Sequence, residues 1–144
     1  MSEICLIRKD WETNGCHITY AMVNNIVIAL FAEDPSVQKH IARAGEIFIP
    51  AIVIGELFFG AFKSGRPKAN SARIEIFAAV NTILACDIGT GREYGRIKKL
   101  LHKKGQPIPE NDIWIAALAR EHGLTLVSRD KHFKKIDELK RMEW

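Results

Sequence analysis

The sequence predicts an α/β domain of three layers, with helices covering both faces of a central parallel sheet of four to five strands. Three observations predict it. Short segments rich in Val, Ile and Thr alternate along the chain with longer ones whose apolar residues recur at helical spacing. The strand segments are mostly apolar rather than alternating, as in strands buried on both faces. At 144 residues and 47% hydrophobic, the chain encloses a core of its own, since a domain near this size hides roughly two thirds of its unfolded surface.

Thr19 to Val23 reads as the first strand. Asn24-Asn25 then offers an N-cap to a helix carrying Ile26, Val27, Leu30 and Phe31. Asp34-Pro35 turns the chain into a second helix, which runs to Ala44 and is ended by Gly45. Glu46 to Pro50 is the second strand, and a helix from Ala51 to Lys63 follows, stopped by Ser64-Gly65-Arg66-Pro67. The next helix spans Ala69 to Val80, with Ile74, Ile76, Phe77 and Ala78 as its core face, before a third strand from Ile83 to Ile88. A helix from Thr90 to Lys104, a proline-bearing loop through Pro107 and Pro109, and a helix from Glu110 to His122 lead to a fourth strand, Leu124 to Ser128. The domain therefore occupies residues 19–144. Residues 1–18 form an N-terminal extension to which the sequence assigns no role.

The composition excludes several classes. The apolar runs around Ile52 to Phe62 are broken by Pro50, Glu56 and Lys63, so none supplies the ~20 apolar residues of a membrane span. The opening residues do not have the pattern of a secretory signal, and a cytoplasmic location is expected. Cys5, Cys16 and Cys86 are too scattered for a zinc pattern and read as reduced bystanders. The net charge of +4 is concentrated in Arg92 to Lys104 and Arg129 to Lys135. Such stretches suit phosphate contacts, and equally a solvated helix face.

In open parallel sheets ligands sit at the carboxyl ends of the strands. There the sequence puts Val23, the segment leading to Glu56, Asp87 and Asp130. Glu56 lies on a helix apolar nearly all round, so its carboxylate must be paired, protonated or bound to a metal. Asp112 opens a helix, where capping or the helix dipole accounts for many aspartates. Asp130 follows the fourth strand, where a turn-forming role is the plain alternative. Together Glu56, Asp112 and Asp130 would gather at one edge, and clustered carboxylates take up protons unless a hard cation such as Mg²⁺ or Mn²⁺ neutralises them. With such a cation, hydrolysis of a phosphodiester is the reaction class that follows.

Five stretches carry a resemblance: Asn24 to Leu30, Ile49 to Leu57, Tyr94 to Ile97, Pro109 to Ala117 and Leu126 to Asp130. In order and spacing they resemble the VapC-type PIN domains. The resemblance implies a Mg²⁺-dependent endoribonuclease, the toxin of a toxin-antitoxin pair, dimeric and restrained by a VapB-like antitoxin laid across its groove. It assigns Glu56, Asp112 and Asp130 to three of four acidic positions. It makes Asn25 a supporting polar residue and Ser128 a hydrogen-bond donor to the last acid. The chain departs at the first acid, where Val23 stands for an aspartate. Valine cannot ligate a metal, so weaker cation binding and a reduced hydrolytic rate are expected.

Two readings follow: an RNA-cleaving toxin impaired at Val23, or an inactive homologue that keeps antitoxin or RNA binding as a scaffold. Phe58 and Phe59 favour a partner or dimer interface in either case. A phosphate-accepting receiver domain would need Asp87 and Lys131 in its two central roles, and their spacing does not fit.

Overall fold

The computed structural model describes residues 18–144. The extension, Ile18 apart, lies outside the described residues, and so do Cys5 and Cys16. Five strands, β1 (Thr19–Met22), β2 (Glu46–Pro50), β3 (Thr82–Leu84), β4 (Thr125–Val127) and β5 (Arg141–Met142), form one sheet in the order β3-β2-β1-β4-β5. Every pairing is parallel, with Ala21 beside Phe48 and Met22 beside Val127. The helices α1 (Asn24–Phe31), α2 (Pro35–Arg43), α3 (Ala51–Phe62), α4 (Pro67–Ala79), α5 (Ile88–Lys104) and α6 (Glu110–Glu121) flank it. The chain builds outward from β1 through β2 to β3, then returns to the other side of β1 to lay down β4. The strand order thus reverses between β1 and β4, where an open α/β sheet leaves its binding crevice.

Local chemistry accounts for most boundaries. The Asp34 carboxylate accepts from the backbone N–H groups of Ser36 (2.9 Å) and Val37 (3.2 Å), and Pro35 occupies the first turn of α2. The Thr90 hydroxyl accepts from the Asp87 N–H and the Asp87 carboxylate from the Thr90 N–H, a reciprocal box that starts α5. Gly105 (φ 63°) and Gly123 (φ 65°) take the left-handed conformation that closes α5 and α6.

Several sequence expectations need correction. Val23, rather than Asn24 or Asn25, is the N-cap of α1 and offers no side-chain bond; the Asn24 side chain accepts from the adjacent Asn25 N–H instead. Helix α2 ends at Arg43, with Ala44 extended, so Gly45 only follows the turn. Pro67, at the first helical position, starts α4 two residues before Ala69. The third strand stops at Leu84, because Asp87 is committed to capping α5. Ile76 faces solvent, and only Ile74 and Phe77 of α4 are fully buried.

The core is densest around α6, where Ile113 and the run Ile115 to Ala119 are buried against β4 and α5. Phe77 meets Phe31 edge to face at 5.4 Å, and Trp144 is inserted between Tyr20 and the stacked ring of His40. Each large side chain buried in this way contributes roughly 1.5–3 kcal/mol. The fifth strand is two residues long and exposed. It holds its place by accepting from the Leu126 and Ser128 N–H groups at the Lys140 and Met142 carbonyls (2.8 and 3.0 Å). No helix among the described residues is long and apolar enough to cross a membrane.

Candidate metal and active site

At the carboxyl edge of the sheet, between β1 and β4, the fold brings together Asp112, Asp130 and His132. One donor atom from each lies within 4.8 Å of the others. The three come from two anchored elements. Asp112 is in the first turn of α6, whose buried apolar face fixes the helix in place, and its backbone N–H bonds to Pro109 O at 3.1 Å. Asp130 leaves β4 through a double turn: its N–H donates to Ser128 Oγ (2.9 Å), and its own carboxylate accepts from the His132 N–H (2.9 Å). That second bond starts the 3₁₀ turn Lys131–Lys135, which Phe133 nails to the core. The turn directs the His132 ring back over the carboxylates.

The imidazole Nδ1 of His132 lies 3.2 Å from Asp112 Oδ2 and 3.0 Å from Asp130 Oδ1. The angles are not those of hydrogen bonds, and both Asp112 Oδ2 and His132 Nδ1 are buried without a hydrogen-bonding partner. Buried polar atoms are nearly always satisfied, so these two, facing one another, set this edge apart from the rest of the interior. Burial pushes the Asp112 carboxyl above its ordinary range, the neighbouring Asp130 charge adds to the rise, and His132 opposes it. Two carboxylates and an imidazole with unused donor atoms form a set that fits a divalent cation.

Glu56, on the second turn of α3, is half-buried beside this group without joining its donor atoms. Burial raises its pKa, the Asn111 side chain works against that rise, and the Asp112 charge reinforces it. Asn25 reaches the same edge, its Oδ1 accepting from the Arg129 N–H at 3.5 Å. Ser128 is buried at 7% exposure, and its hydroxyl oxygen accepts from the Asp130 backbone N–H. Val23 is 2% exposed, in the core cluster, with its N–H bonded to Val127 O, and so sits level with Ser128 across the crevice.

Other acids lie elsewhere. Glu110 faces away from the site onto Lys98 (2.7 Å) and the Tyr94 hydroxyl, which hold its carboxyl below the usual range. Asp87 is at the edge of the sheet, capping α5, which removes the receiver-domain arrangement. The Cys86 thiol is pushed up by its partial burial and by the Glu121 and Asp87 charges, a poor nucleophile. A shallow pocket of about 290 Å³ lined by Glu93, Arg120, Glu138 and Lys140 opens at the amino end of β4 and contains none of these groups. The sequence does not single out His132, because Arg129 to Lys135 reads as a basic run. The signal was its place two residues after Asp130, the spacing of an Asx turn.

The fold and this edge define the chain as a member of the PIN-domain family, which it matches over residues 24–139. Within that family it belongs with the VapC ribonucleases. It is 37% identical to ribonuclease VapC2 of Haemophilus influenzae over 130 residues, covering 88% of this chain and 98% of that relative. It is 29% identical to the tRNA(fMet)-specific endonuclease VapC of Shigella flexneri, with the same coverage. Among solved structures, VapBC2 of Rickettsia felis bound to a promoter DNA fragment superposes with a TM-score of 0.81 at 30% identity, covering 88% of this chain and 99% of that one. DNA-bound VapBC of Salmonella typhimurium gives 0.82 at 25% identity, covering 88% and 98%.

Proposed function

We propose that this chain is the metal-dependent endoribonuclease toxin of a VapBC-type module, acting on RNA in the cytoplasm with its rate reduced by Val23. The observation that carries the reading is the pair of orphaned, buried donor atoms on Asp112 and His132 at the strand-order reversal. Asp112 and Asp130 would hold Mg²⁺ or Mn²⁺. A cation bound there activates water and stabilises the charge that develops on a phosphodiester. Glu56, its pKa raised by burial, is suited to accept a proton from attacking water. Asn25 and Ser128 hold the turn that presents Asp130. Lys131 and Lys134, exposed on that turn, suit the RNA backbone.

A VapB-like antitoxin is the expected partner, by the VapBC assemblies among the relatives. The α3 face supports a protein contact. Phe59 and Phe62 are 66% and 68% exposed, whereas Phe58 packs against the core, so the apolar surface is that of Phe59 and Phe62. A homodimer through that face would concentrate two sites in one particle. The second reading, an inactive homologue that binds antitoxin or RNA, is favoured by one observation: the apolar, buried side chain of Val23 at the position of the first acid.

The two readings part in one experiment. Cleavage of a mixed RNA pool is followed against Mg²⁺ and Mn²⁺ concentration for this chain and for Val23→Asp. Cation-dependent cleavage that rises in Val23→Asp supports the nuclease. No cleavage by either protein, with RNA retained in a binding assay, establishes the scaffold.

A further inference from the structure

We propose that His132 is itself a metal ligand, through Nδ1, and that with Asp112 and Asp130 it turns the site toward Mn²⁺ and related transition ions over Mg²⁺. The inference rests on the metal-dependent reading above and adds a residue and a preference to it.

Three observations carry it. The first is spacing. Cis ligands about an octahedral cation with bonds of about 2.1 Å are roughly 3 Å apart, and Nδ1 lies 3.0 and 3.2 Å from the two carboxylate oxygens. The second is that Nδ1 is buried and, though at ion-pair distance from both oxygens, is aligned in a hydrogen bond with neither. A histidine serving only as counter-cation to two aspartates would be expected to align an N–H with one of them. The third is orientation from outside the ring. The His132 backbone N–H is bonded to Asp130 Oδ1, and Phe133 anchors the turn, so the imidazole is positioned by the same bond that positions a carboxylate ligand.

The chemistry of the donor set then decides the ion. Where Val23 stands, the site has one carboxylate fewer, which lowers its charge and weakens its hold on Mg²⁺, a cation that demands oxygen ligands. An imidazole nitrogen restores a third protein donor, but one that suits Mn²⁺, Co²⁺ and Zn²⁺ better than Mg²⁺. The substitution at position 23 and the histidine at 132 thus act in the same direction.

The test uses the full chain, His132→Gln and Asp112→Asn, with Mn²⁺ alone and Mg²⁺ alone as probes. Calorimetry gives the affinities, and pulsed electron paramagnetic resonance of bound Mn²⁺ detects a coordinated ¹⁴N. The expected result is Mn²⁺ bound more tightly than Mg²⁺, with a ¹⁴N coupling. In His132→Gln that coupling disappears, Mn²⁺ affinity falls on the order of tenfold or more, and Mg²⁺ affinity changes far less. If His132→Gln does not fold, loss of the coupling in Asp112→Asn assigns the nitrogen to this site. Mn²⁺ bound without nitrogen coupling, equally well in His132→Gln and lost in Asp112→Asn, overturns the histidine ligation and leaves the carboxylate site standing. Absence of binding by either cation overturns both.

Discussion

Replacing Val23 by aspartate tests the site through stability as well as activity. The two side chains are close in volume, so the exchange leaves little cavity, and its cost is chemical. Val23 is 2% exposed and lies among the core residues between β1 and β4. Removing its apolar surface forfeits about 1.5 kcal/mol, and an uncompensated carboxylate there adds a desolvation penalty of several kcal/mol. A metal-free loss of about 3–5 kcal/mol is expected, a large part of the roughly 5–15 kcal/mol that stabilises a domain. A cation bound only by the folded state returns about 2.7 kcal/mol at a hundred times its Kd. Urea unfolding followed by circular dichroism, in chelator and in saturating Mn²⁺, measures both quantities. The reasoning is refuted if Val23→Asp matches the parent chain within about 1 kcal/mol in chelator, or gains no more from cation than the parent does. The first result would mean that an acid at position 23 escapes desolvation, the second that it does not face the carboxylates.

Four further substitutions have expected outcomes. Asp112 and Glu56 have pKa values raised above the ordinary 3.8 and 4.5, so the folded chain binds more protons than the unfolded one, and metal-free stability falls as pH rises from that range through the folded values. Asp112→Asn should shallow that fall and raise metal-free stability at neutral pH by about 0.5–2 kcal/mol, read from urea midpoints against pH. Glu110→Gln should leave Mn²⁺ affinity by calorimetry unchanged, because that carboxylate is bound to Lys98 and Tyr94 outside the site. In the interior, Phe77→Ala should cost about 3–5 kcal/mol and Thr90→Val, which leaves the Asp87 N–H and the Glu121 carboxylate short of a partner, about 1–3 kcal/mol, both measured by denaturant unfolding.

The strands and helices were legible in the sequence wherever one physical signal dominated. Apolar runs mark β2 and β4, and Pro35, with its fixed φ, opens α2 as its ring requires. Where two signals compete, tertiary structure decides between them. Asn24 and Asn25 have cap chemistry, yet the tight exit from β1 gives the cap position to Val23, and Asp87 ends a strand early because it is needed to start α5. Glu56 is conspicuous in the sequence for its apolar helix, Asp112 for opening a helix, and Asp130 for following a strand. His132 is not, because its significance lies in a turn that folds a basic-looking segment back over its neighbour. Nor does sequence spacing show that the Asp112 carboxylate points at another acid rather than capping its own helix.

The strand order has a consequence for the timing of assembly. Strand β1 is made early and lies at the centre of the sheet, but its second neighbour, β4, is more than a hundred residues later. A chain emerging from the ribosome can form β2 and β3 beside β1, whereas the crevice stays without its second wall until β4 and the turn bearing Asp130 and His132 have been synthesised. Whatever this edge binds or cuts, it cannot do so as a partial product. This edge is therefore among the last parts of the fold to be completed, after β1, β2 and β3 can already pair.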